Sequence, residues 1–169
     1  MRIMKRVEGG DRAAITNLGC LYRDGRNGFQ QDFAKALELW HRAGDLDYAP
    51  AYCNIGLAYV YGRGVEIDKK KAIYYYELAS IRGSANARYN LGSMAMVAGN
   101  MDRAIKHYMI AVRRGSGDSL KQIKYLFSNG HATKDDYTKA LQSYQEYLAE
   151  VKSVQRDKAA AADEEYCYY

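Results

Sequence analysis

Proline is almost missing: Pro50 is the only one in 169 residues, where average usage would supply about eight. Interior prolines break helices, so this scarcity favours a chain built from helices. Cysteine is also scarce. Cys20, Cys53 and Cys167 are an odd number with no C-x-x-C pair, which argues against a disulfide framework and a zinc knuckle. The three histidines, His41, His107 and His131, have no second ligand type at helical spacing, so neither a metal nor any other cofactor is expected. No apolar run reaches the roughly 20 residues of a membrane span, and no membrane partner is expected. The opening residues, Met1 to Arg6, are charged and lack an apolar signal core. An intracellular, cytoplasmic setting is therefore expected rather than a secreted one.

Strong charge of one sign is lacking too. Lys and Arg number 25 against 20 Asp and Glu, a net +5. The surplus is spread out, with its densest spots at Lys69-Lys70-Lys71 and Arg113-Arg114. Nucleic-acid binding asks for a concentrated basic stripe, so this mild excess reads first as a solvated face. Catalytic motifs are missing as well. There is no G-x-S-x-G elbow. Gly25-Arg-Asn-Gly28 and Gly62-Arg-Gly64 lack the spacing of a phosphate cradle. Asp135-Asp136 is a carboxylate pair that helix capping explains better than acid–base chemistry. No catalytic residue is assigned, and the chain is read as a non-enzyme.

What the sequence does have is repetition. Asn17-Leu-Gly19 returns as Asn54-Ile-Gly56 and Asn90-Leu-Gly92, at spacings of 37 and 36 residues. An alanine stands five residues before each glycine: Ala14, Ala51 and Ala87. A second ladder follows, made of Ala36, Ala72, Ala104 and Ala140. Each is followed by Leu or Ile, and four residues on by an aromatic: Trp40, Tyr76, Tyr108 and Tyr144. Ala43, Ala79 and Ala111 extend it by a further turn. Offsets of 0, +1, +4 and +7 lie on one helical face, so each ladder is a buried stripe. Of the 17 tyrosines, Tyr76, Tyr108 and Tyr144 fall on ladder positions, so the tyrosines read as core before they read as base-stacking platforms.

Punctuation agrees. Gly25 with Gly28, and Gly62 with Gly64, end first helices; Gly44, Gly83 and Gly115 close second helices. Asp32, Asp68 and Asp136 each precede a ladder alanine by four residues and read as N-caps. The spacing predicts helices over 12–23, 33–43, 48–61, 69–82, 85–98, 101–114, 117–128 and 134–152. Periods of this length built from helix pairs mean an all-α solenoid. The expected organisation is a lead-in over 1–8, an array over 9–152 and a helical or disordered tail over 153–169. The repeats fall at about 9–44, 45–83, 84–115 and 116–152.

The second unit, Tyr59-x-x-Gly62-x-Gly64-Val65-x-x-Asp68-x-x-Lys71-Ala72, resembles the Sel1-like repeat, a branch of the tetratricopeptide superfamily. The first unit fits with one extra loop residue: Tyr22-x-x-Gly25-x-x-Gly28-Phe29-x-x-Asp32-x-x-Lys35-Ala36. The third has the shorter turn of an ordinary tetratricopeptide unit. In the fourth, Lys124 replaces the packed glycine. Cys20 and Cys53 do not reproduce the cysteine pair of a secreted bacterial branch, so its disulfides are not carried over. The resemblance implies a right-handed superhelix whose concave groove binds proteins or peptides, as an adaptor or scaffold. It also leaves room for a repeat region cut from a longer protein.

Candidate groove residues follow from that geometry. Asn17, Asn54 and Asn90 occupy a position that in the superfamily often faces the groove, where a carboxamide can bond a peptide backbone. Thr16, Leu57, Tyr89 and Ser93 turn towards the same strip, with Cys20 and Cys53 beside them. Gly19, Gly56, Gly92, the four ladder alanines and their four aromatics are structural. The expected partner of this monomer is a protein or peptide. The alternative is an RNA-binding helical repeat, which the irregular units argue against.

Overall fold

The computed structural model describes residues 2–166. Among them it forms nine helices and no strand: α1 (Arg2–Glu8), α2 (Arg12–Asp24), α3 (Phe33–Asp45), α4 (Ala49–Tyr61), α5 (Lys69–Ile81), α6 (Ala85–Val97), α7 (Met101–Val112), α8 (Gly117–Ser128) and α9 (Lys134–Tyr166). The chain is an all-α solenoid. It divides into two compact units, Met1–Leu91 and Gly92–Tyr169, and the division falls within α6.

In the first unit α2 pairs with α3 and α4 with α5. Both pairs close in the same way. The ladder alanines Ala36 and Ala72 are fully buried, with Trp40 and Tyr76 one turn on beneath the surface. Opposite them stand Gly19 and Gly56, because nothing larger fits. A Cβ at Gly19 would lie 2.5 Å from Trp40 Nε1, and one at Gly56 2.6 Å from Tyr76 Cε1. The Trp40 indole also donates to the Thr16 carbonyl at 3.2 Å, so its polar edge is satisfied inside the core.

The glycine loops are closed by matching contacts. Gly25 and Gly62 end α2 and α4 at φ 63° and 66°, their N–H groups bonding Leu21 and Ala58 carbonyls. Asp32 and Asp68 then cap α3 and α5, and their own N–H groups reach back to the Tyr22 and Tyr59 carbonyls at 2.9 and 3.0 Å. The signature lysines complete the loops, Lys35 standing 4.6 Å over the Tyr22 ring and Lys71 5.3 Å over Tyr59.

In the second unit Gly92 repeats the close approach, a Cβ there falling 2.6 Å from Tyr108 Cε1. Ala104, Tyr108, Ala111 and Ala140 are buried, and Ile123 and Leu126 bring α8 into the same core. Lys124, at the fourth glycine position, is exposed. Tyr144, the aromatic of that ladder, is half-buried, its hydroxyl lying 3.1 Å from a Cβ built on Gly117.

Two local expectations are corrected, at Gly44 and Asp136, and the two ends are described more fully. Gly44 does not close α3. It lies inside the helix under the Tyr52 ring, and the chain reverses at Asp47, whose φ is 59°. Asp136 is not the N-cap of α9 but its third residue. Thr133 is the cap, and the two exchange bonds: Thr133 N–H to Asp136 Oδ2 at 2.9 Å, and Asp136 N–H to Thr133 Oγ1 at 3.1 Å. That is a capping box. The lead-in is helical, α1 being anchored by buried Val7, whose carbonyl accepts from Arg42 Nη2 at 3.1 Å. Finally, α9 passes residue 152 and continues to Tyr166. Alanine-rich 159–162 has strong helix propensity, and no glycine or proline interrupts it. Cys167, Tyr168 and Tyr169 lie outside the described residues.

Candidate functional site

The candidate surface is the face of the first helices, and in the first unit it is carried by α2, α4 and the start of α6. Asn17 is exposed, while Asn54, Leu57, Tyr89 and Asn90 are half-buried. These five residues keep enough accessible surface to meet a ligand. Their positions follow from the repeat, because each asparagine precedes a core Leu or Ile and lies a helical step away from it: Leu18, Ile55 and Leu91 are all buried.

Thr16 does not belong to this surface. It is 3% exposed, and its hydroxyl bonds the Arg12 carbonyl one turn back at 2.9 Å. Such local back-bonding lets a hydroxyl sit in a core. Asn54 is partly committed as well: its Nδ2 donates to Cys20 Sγ at 3.7 Å, tying α4 to α2. That leaves its carbonyl side for another donor, since a carboxamide offers four bonding positions. Cys53 is turned inward, 7% exposed, with Ser84 Oγ 3.3 Å from its sulfur. Ser93 belongs to the second unit, where its hydroxyl lies 3.1 Å from that of Tyr108.

Among the contacts that sequence reasoning missed, three tie neighbouring helix segments together: Cys20 with Asn54, Cys53 with Ser84 at the start of α6, and Ser93 with Tyr108. Each joins residues that are unremarkable alone. Comparing equivalent positions of adjacent repeats could have found the first, since Cys20 and Asn54 flank their repeat glycines at +1 and −2.

Electrostatics here serve structure. Burial pushes the Cys53 thiol up and likewise the Cys20 thiol. Burial also raises the Tyr76 hydroxyl far above its ordinary value. The depressed carboxyls have structural causes: Asp11 accepts the Ala14 N–H as the cap of α2, Asp24 is bonded by the Arg23 guanidinium, and Asp136 is bonded by the Thr133 hydroxyl. Among the described residues no group of three His, Cys, Asp or Glu is placed to hold a metal, and no helix is long and apolar enough to cross a membrane. The surface carries accessible carboxamides and the half-buried Tyr89 ring.

Comparison with known proteins matches the pattern. The ERAD-associated E3 ubiquitin-protein ligase component HRD3B of Arabidopsis thaliana is 29% identical over 104 residues, 60% of this chain and 16% of that protein. A Sel1 repeat protein from Oxalobacter formigenes superposes with a TM-score of 0.70 at 25% identity, over 90% of this chain and 62% of its own. The protective antigen c5321 of uropathogenic Escherichia coli strains, which displays an SLR fold, superposes with a TM-score of 0.71 at 27% identity, over 88% and 32%. This chain therefore spans less than two thirds of each. The Sel1 repeat profile matches three consecutive segments, 12–48, 49–84 and 85–116. With its loops, caps and glycine–aromatic contacts accounted for and more than half its length matched, the chain belongs to the Sel1 repeat family.

Proposed function

We propose that this protein is a non-catalytic interaction module that holds an extended peptide of a partner protein along its first-helix face. Sel1 repeat proteins are generally protein-interaction scaffolds, and that family membership is the observation that carries the reading. The accessible amides of Asn17, Asn54 and Asn90 support it in detail, because a carboxamide can bond both the N–H and the C=O of a peptide backbone. Leu57 and Tyr89 add apolar area, and tyrosine is a frequent anchor at such surfaces. The face carries little charge, which suits a moderately apolar ligand. Neither the family nor the relatives above supports the RNA-binding alternative. The module is proposed to act as a monomer inside the cell, and its likeness to a ubiquitin-ligase component makes quality-control factors a sensible first set of partners to screen.

The test is selection of binding peptides from a displayed library, followed by calorimetric titration of the best sequence. Replacing Asn54 and Asn90 together by Ala should weaken binding by ~0.5–1.5 kcal/mol per lost bond, several-fold to about a hundredfold overall. Undiminished affinity with a lowered melting temperature would assign these amides to joining helices and sink the peptide-groove reading.

A further inference from the structure

A second surface, separate from the first-helix face, lies on the loop between α4 and α5. Residues 61–71 hold four cations, Arg63, Lys69, Lys70 and Lys71, against two carboxylates, Glu66 and Asp68. Asp68 is already engaged: it caps α5 through the Lys70 and Lys71 N–H groups and holds Lys71 Nζ at 4.0 Å. Lys69 and Lys70 are exposed and make no ion pair among the described residues. They stand in the first turn of α5, where the helix dipole disfavours positive charge. Among the described residues neither side chain makes a hydrogen bond.

Exposed rings and an aliphatic side chain accompany this charge. Tyr61 is 59% exposed, Ile67 65% and Tyr74 56%. Arg63 stacks over the Tyr61 ring at 5.0 Å, and Lys70 and Tyr74 are neighbours on α5 at i,i+4. The preceding loop brings a further exposed cation, alongside the Asp32 carboxylate that caps α3. Its Arg26 is 74% exposed and reaches Asp24 only at 3.9 Å, because Asp24 is taken by Arg23 at 2.7 Å. The two loops adjoin, a Cβ built on Gly64 falling 2.9 Å from the Phe33 carbonyl oxygen at the end of the preceding loop.

We propose that this loop edge, with Arg26, Arg63, Lys69 and Lys70 beside Tyr61 and Tyr74, is a docking surface for an acidic, tyrosine-containing peptide segment of a partner protein. Charge complementarity selects the partner's sign, the unpaired lysines supplying cations with no internal claim on them. The exposed rings select aromatic side chains, which pack on tyrosine faces and on a guanidinium plane. The occupant differs in character from the moderately apolar ligand of the first-helix face, so the two surfaces can be engaged independently.

The experiment uses a fluorescein-labelled random copolymer of glutamate and tyrosine, followed by anisotropy against the whole chain at low and at physiological salt. Saturable binding that weakens with salt is expected. The double variant Arg63→Glu, Lys70→Glu should bind roughly tenfold more weakly, the scale of losing and reversing a few exposed pairs, with an unchanged circular-dichroism melt because both side chains lie at the surface. The variant Asn54→Ala, Asn90→Ala should bind the copolymer normally, which separates this surface from the proposed groove. Equal binding by parent and charge-reversed protein would overturn the proposal. So would absence of saturable binding, or an oligouridylate that binds more tightly and displaces the copolymer, since that would make the edge a nucleic-acid surface.

Discussion

The glycines of the first helices are set by the aromatics of the second. At Gly56 the Tyr76 ring occupies the space a side chain would need, so Gly56→Leu should overpack the pair and cost ~1–3 kcal/mol in chemical denaturation. The contrast is Lys124, which holds the equivalent position in α8 but is exposed. Lys124→Ala should change stability by no more than about 0.5 kcal/mol. Equal effects of the two substitutions would mean that the helix contact lies elsewhere. Cysteine chemistry offers a second residue-scale test. Burial holds the Cys53 thiol protonated at neutral pH, and the thiolate is the reactive species. Native protein should therefore alkylate slowly at Cys53 with iodoacetamide and rapidly in denaturant, as followed by mass spectrometry. Rapid native labelling would contradict its inward placement.

Helix ends carry the next set of tests. Thr133 and Asp136 satisfy one another and the first turn of α9, so Thr133→Val should lower stability by ~0.5–2 kcal/mol. The hydroxyl bond holds the Asp136 carboxyl below its ordinary value of 3.8. A depressed carboxyl stabilises the fold above its unfolded pKa and loses that contribution as pH falls through the folded value. The gap in melting temperature between parent and Asp136→Asn should therefore be present at neutral pH and shrink below about pH 4. A gap independent of pH would show that the carboxylate charge plays no part. Most element boundaries were legible in the sequence, because Ala36, Ala72 and Ala104 repeat with their aromatics and an aspartate or asparagine begins each of those helices. The exceptions have physical reasons. Arg2–Glu8 has no repeated counterpart and is held by buried Val7 and by the bond from Arg42 to the Val7 carbonyl. Gly44 reads as a stop signal, yet its small size is used against Tyr52. Thr133 was overlooked because Asp136 keeps the register of the other aspartates while serving the opposite half of the cap.

At the scale of the whole molecule, repetition makes the fold readable and the ligand hard to read. The glycine loops and buried ladders recur in Met1–Leu91 because packing demands the same solution in each pair, and the family match follows that recurrence. Whether a repeated position can meet a ligand depends instead on its exposure and its local bonds, which the repeat pattern does not fix. Thr16 shows the difficulty: its place in the pattern suggested the open face, whereas its hydroxyl found a partner within its own helix. Asn54 shows the converse, keeping exposed area while also bonding Cys20. Which face receives a partner is best decided by photo-crosslinking in cells, with benzoylphenylalanine placed at half-buried Leu57 on α4 or at exposed Glu38 on α3. The expected result is one reproducible protein adduct at position 57, absent at position 38 and lost when Asn54 and Asn90 are alanine in a chain that still melts normally. Equal capture at both positions, or recovery of RNA rather than protein at position 57, would contradict a peptide-holding first-helix face.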